Sequence, residues 1–74
     1  MFKKSKLKKE LKNQIKLIEE LEKKRYRSQA KLVEAILIHE SPSDEDVDYF
    51  NQFTERIEST RTRIHEIQAE LDAL

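Results

Sequence analysis

The chain has no glycine, no cysteine and no tryptophan, and a single proline among its 74 residues. Without glycine there is no Gly-rich loop to cradle a phosphate. Without cysteine there is no disulfide, no thiolate metal site and no thiol nucleophile. An excess of charge of one sign is missing too: 15 basic side chains cancel 15 acidic ones, so no overall field draws the protein to nucleic acid or anionic lipid, and any such attraction has to be local. Long apolar runs are also lacking. The opening MFKKSKLKKELKNQ carries the positive charge of a signal-peptide start, but charged and amide residues stand where about 7–15 apolar ones would be needed. No stretch approaches membrane-spanning length, so a soluble cytoplasmic protein that does not enter a membrane is expected.

What the chain does have is helical pattern. Charged residues make up 41% of it and apolar ones 36%, a mixture that suits long exposed helices and is poor for a compact sheet. Leu7, Leu11, Ile15, Ile18, Leu21, Leu32, Val33 and Ile36 fall within about a third of a turn on a helical wheel. They predict one helix over about 4–39 with one buried face. The only punctuation follows in Ser41-Pro42-Ser43-Asp44-Glu45-Asp46, where either serine can cap a new helix, the proline suits a first helical position, and the carboxylates suit the positive dipole end. In the second helix, over about 44–73, Phe50, Phe53, Ile57, Thr60, Ile64, Ile67, Leu71 and Leu74 alternate by three and four without a slip, a heptad seam that implies left-handed wrapping.

Two long helices joined by a turn at 40–43 form a single all-α domain over 1–74, an antiparallel two-helix hairpin in which residue i faces about residue 83 minus i. That register leaves residues 1–6 overhanging and sets the basic start of the chain beside Glu66, Glu70 and Asp72. A lone hairpin covers each stripe on one side only. At about 1–2 kcal/mol of chain entropy per residue, half-buried side chains do not balance the cost of ordering, so dimerisation into a four-helix bundle is expected. The expected oligomer interface is Phe50, Phe53, Ile57, Ile64, Ile67 and Leu71 with Ile18, Leu21 and Arg25. Leu17, Leu37 and Ile38, outside the main stripe, are available for a further contact.

The string Lys23-Lys24-Arg25-Tyr26-Arg27 interrupts the first apolar stripe. Glu19, Glu20 and Glu22 precede Lys23, Lys24 and Arg25 by three or four residues, the spacing of helix-surface ion pairs. Arg25 points into the stripe, with Glu58 opposite and Thr60 a turn away in the expected register. That makes a polar layer able to fix register and stoichiometry, with Ser28 and Gln29 beside it. Tyr26 is expected to lay its ring along the edge. Arg27 belongs instead to an outer basic row of Lys9, Lys12, Lys16, Lys23, Arg27 and Lys31. The row is either a solvated helix back or a surface about 33 Å long for nucleic-acid phosphates.

Asp44, Asp46, Asp48, Phe50 and Glu55 match positions of a calcium-loop frame, but Tyr49 stands where glycine makes the sharp turn, and both phenylalanines belong to the heptad seam. His39 and His65 lie in no His-Glu-x-x-His frame. No catalytic residue, metal or cofactor is expected.

The string Gln68-Ala69-Glu70-Leu71-Asp72 is similar to the Ser-Gln-Glu-Leu-Asp string of the small helical-hairpin aspartyl phosphatases that control sporulation in bacilli, with Glu70-Leu71-Asp72 matching in place and the serine and glutamine replaced. That resemblance implies a regulator acting on aspartyl phosphate. The plan of a short dimerising hairpin also resembles the Rop family of plasmid RNA-binding bundles, which implies RNA contact. The residues themselves point first to a small non-catalytic interaction or scaffolding protein with a protein partner of unspecified identity. A nucleic-acid-binding bundle is the alternative, and an aspartyl-phosphate phosphatase regulator a more distant one.

Overall fold

The structure, a computed structural model, describes residues 2–74. It contains two helices, α1 (Phe2–Leu37) and α2 (Asp44–Asp72), and no strand among the described residues. They pack side by side into a rod of 57 × 15 × 14 Å. The helices run antiparallel, since Glu10 near the start of α1 bonds Arg63 near the end of α2, while Arg25 bonds Thr54.

Both ends of α1 differ from expectation. It starts at Phe2 and stops at Leu37, two residues short of the expected His39. The stop is a Schellman turn: the His39 N–H donates to the Ile36 carbonyl at 3.0 Å and the Glu40 N–H to the Ala35 carbonyl at 2.9 Å. That closure needs a left-handed residue, normally glycine, and in a chain without glycine His39 takes it with φ 62°. No composition cue marks such a stop. α2 begins as expected at Asp44, and the cap is Ser43, whose side chain accepts from the Asp46 N–H at 3.2 Å. Pro42 therefore precedes the cap and is not the first helical residue. Asp44, Glu45 and Asp46 fill the first turn, at the positive end of the dipole.

The register is shifted from the expected one. Glu10 faces Arg63 and Arg25 faces Thr54, so the numbers of facing residues add to 73 and 79 instead of 83. Leu21 packs in one cluster with Phe53 and Ile57, which agrees with this shift. The cause is the connection. The expected turn has four residues, 40–43, whereas six residues, 38–43, join the helices, with the left-handed residue His39 at the start of the connection. At the loop end the Arg25–Thr54 level sets Asp44 opposite residue 35, so α1 runs about two residues past the start of α2, roughly 3 Å at 1.5 Å per residue. Residues 2–6 do not overhang, because α1 starts level with the end of α2; Met1 lies outside the described residues.

The buried face of α1 also differs from the expected stripe. Its covered seam is Leu7, Leu11, Gln14, Ile18, Leu21, Arg25, Ser28, Leu32 and Ala35, alternating by four and three without a break, with Glu10 and Leu17 half-buried beside it. Ile15, Val33 and Ile36 are exposed instead. α1 thus keeps the same heptad period as α2, with Gln14, Arg25 and Ser28 filling seam positions. Seams of one period mesh along their whole length, and a straight 3.6-residue stripe would drift away from its partner. On α2 the expected seam is covered from Phe50 to Leu71, with Ile67 fully buried, while Leu74 lies exposed beyond the helix end.

Candidate functional site

The expected interface residues serve first as the hairpin's own core. Leu21, Phe53 and Ile57 form one cluster with Leu17 and Ile18 against it, and Ile67 is buried further along α2. Phe50, Ile64, Leu71, Ile18 and Arg25 keep partial exposure at the edges. Tyr49 meets Phe53 edge to face, with ring centroids 4.7 Å apart, and so extends the core onto the surface of α2.

Arg25 does occupy a seam position, but its partners are not Glu58 and Thr60. Its Nε donates to Thr54 Oγ1 at 2.9 Å, and its guanidinium sits 4.8 Å above the Phe50 ring. The Thr54 hydroxyl in turn donates to the Phe50 carbonyl at 3.3 Å. Arg25 is thereby held by a neutral acceptor and an aromatic face, so one charge and not a pair of them is taken partly out of water. Thr60 is buried, and its hydroxyl donates to the Arg56 carbonyl at 2.8 Å. The register between Glu10 and Arg63 sets Thr60 level with Gln14, so the seam has two separate polar levels.

The ion pairs also lie elsewhere than expected. Among the described residues, Glu19, Glu20 and Glu22 make no ion pair with Lys23, Lys24 or Arg25. The pairs converge on Arg63: its Nε and Nη2 donate to the two oxygens of Glu10 at 2.7 and 2.9 Å, and its Nη1 to Glu66 Oε2 at 3.1 Å, with Glu70 at 4.0 Å. The polarity across the hairpin is the reverse of that expected, with the acid on α1 and the base on α2. The Arg63 hydrogen bonds hold the Glu10 carboxyl below its ordinary value, partial burial opposing and the Arg63 charge adding. Arg63 is pushed up in return, first by Glu10 and then by Glu66.

Lys9, Lys12, Lys16, Lys23, Arg27 and Lys31 are all exposed, and none is ion-paired among the described residues. Lys31 shares a shallow groove with Glu45, Asp46, Asp48 and Tyr49, which places acidic α2 residues at one end of the row. Asp44, Asp46, Asp48 and Glu55 stand on a regular helix and not in a loop, and among the described residues no group of three His, Asp or Glu side chains is placed to hold a metal ion. Glu70 and Asp72 are exposed at the last turn of α2. Among the described residues no helix is long and apolar enough to cross a membrane.

One surface was missed by the sequence reading. Tyr26 does not lie along the seam edge but is 76% exposed, and it lines a groove with Gln29, Ala30, Val33, Glu34 and Leu37. Tyr26, Ala30, Val33 and Leu37 are spaced by four, three and four, a second short seam on α1. Extending the three-four alternation of α2 to α1 finds it, because that alternation assigns Val33 and Ile36 to the outside. Comparison with protein-family models, curated proteins and solved structures finds no match for this chain.

Proposed function

We propose that this chain is a small non-catalytic interaction protein, a helical hairpin that self-associates into a four-helix assembly and in that form binds or scaffolds another protein. The observation that carries this reading is surface left over after folding. The hairpin exposes 6197 Å², against roughly 4,800 Å² for a compact monomer of its 8.9 kDa mass. Its radius of gyration is 16.8 Å, where a compact domain of this length has about 11 Å. Val33, Ile36, Leu37 and Ile38 are among the apolar residues in that excess, 45–73% exposed at the loop end of α1. Only Leu7, Leu21, Phe53, Ile57 and Ile67 form a buried apolar core among the described residues, little for a chain this short. Sedimentation velocity over a hundredfold concentration range tests the reading. A dimer mass at micromolar concentration supports it, and a folded monomer at every concentration overturns it.

A second reading is favoured by the exposure of all six residues of the basic row without ion-pair partners: the row contacts nucleic-acid phosphates. Binding of duplex RNA and DNA titrated with salt tests it. Each phosphate contact contributes a log–log slope of about −0.9, so Lys16→Ala and Lys23→Ala should each flatten it by about one. Absence of binding at low salt ends this reading.

A further inference from the structure

The second seam on α1 has features that specify its occupant. On a helical wheel Tyr26, Ala30, Val33 and Leu37 point about 150° away from the local hairpin seam of Arg25, Ser28, Leu32 and Ala35, so α2 leaves them uncovered. At the loop end α1 runs to Leu37, just past the level of Asp44 where α2 begins. On α2 the large apolar residues left exposed are Val47 and Tyr49, too few and too close together to form a matching stripe.

We infer that the second seam docks a second copy of this chain, antiparallel, α1 against α1, with the two α2 helices outermost. This rests on the self-association proposed above and names its surface. Pairing Tyr26 with Leu37 of the second copy also pairs Ala30 with Val33 of the second copy, and the two-fold axis repeats both. Every layer then sets a small side chain against a larger one, or a ring against a leucine. Arg27 and Glu34 flank the seam on one side, both exposed and unpaired among the described residues, and antiparallel pairing sets each Arg27 beside Glu34 of the other copy. Parallel pairing stacks Lys23 on Lys23 and Ala30 on Ala30, a like-charge layer and a void, against which its one gain is Glu22 beside Arg27. Charge complementarity along the seam therefore selects the antiparallel dimer.

The test is a charge-reversal cycle read by sedimentation equilibrium, with helicity followed by circular dichroism. All the altered residues are exposed in the hairpin, so helicity should be retained. Arg27→Glu and Glu34→Arg should each weaken the dimer at least about tenfold, and the double reversal should restore it. Val33→Glu should leave a helical monomer. Weakening by Arg27→Glu without rescue by Glu34→Arg overturns the antiparallel assignment, because Glu22 would then be the partner of Arg27. A dimer indifferent to Val33→Glu and to both reversals overturns this surface while self-association stands. A wild-type monomer at every concentration overturns both.

Discussion

Arg63 closes a two-pronged bond on Glu10, Nε to one carboxylate oxygen at 2.7 Å and Nη2 to the other at 2.9 Å, across 53 residues of sequence. A fork of this kind has one geometry, so it pins the register of the hairpin at its open end. Because the folded carboxyl titrates below its ordinary value of 4.5, its contribution to stability is present above about that pH and is lost as pH falls through the lowered folded value. Thermal melts from pH 7 to pH 2.5 should therefore show a drop below about pH 4.5 that is shallower in Glu10→Gln. Superimposable acid limbs would remove the bond from the account.

Arg25 is half-buried and holds one neutral hydrogen bond and one aromatic face. Arg25→Leu should raise stability by up to about 1 kcal/mol, since Thr54 keeps its bond to the Phe50 carbonyl and the seam gains an apolar residue. Arg25→Lys should cost about 0.5–1.5 kcal/mol, because an ammonium reproduces neither the Nε bond nor the stacked plane. Urea denaturation of the two variants checks both signs.

Covered and uncovered apolar residues of similar type separate the two candidate stripes. Ile67→Ala should cost about 2–5 kcal/mol, whereas Ile36→Ala, at a 60% exposed site, should stay within about 0.5 kcal/mol at concentrations where the chain is monomeric. Equal losses at the two sites would contradict the heptad assignment of α1.

Two serines flank Pro42, and only Ser43 caps α2. Ser43→Ala should lose about 0.5–2 kcal/mol, and Ser41→Ala should be close to neutral. The reverse order would move the start of the helix.

His39 carries the left-handed conformation that closes α1. A non-glycine residue there costs roughly 1–2 kcal/mol, and glycine returns about 0.4–1 kcal/mol of that to the unfolded chain, so His39→Gly should gain about 0.5–1 kcal/mol. A loss on this substitution would show that the imidazole itself matters.

The α2 seam was legible because its apolar residues state their own period. On α1 the seam positions Gln14, Arg25 and Ser28 are polar, so hydrophobicity alone traced Ile15, Val33 and Ile36, which the structure leaves outside. Only the demand that both seams share one period corrects that trace. The Glu10–Arg63 pair left no local signal, since neither side chain has a neighbour in sequence that announces the other. The second seam of α1 became visible only when the first was correctly placed.

By itself the sequence determined the secondary structure and its sense: no glycine and one proline leave two long helices and one corner, and a short connection turns them antiparallel. The tertiary structure decided how far each helix slides along the other, and thereby which residues meet and which apolar side chains remain uncovered. Helix propensity and capping act within a few residues and can be read locally. Register is a sum of many weak contacts between distant residues, and a connection longer than its local signals announce shifts all of them together.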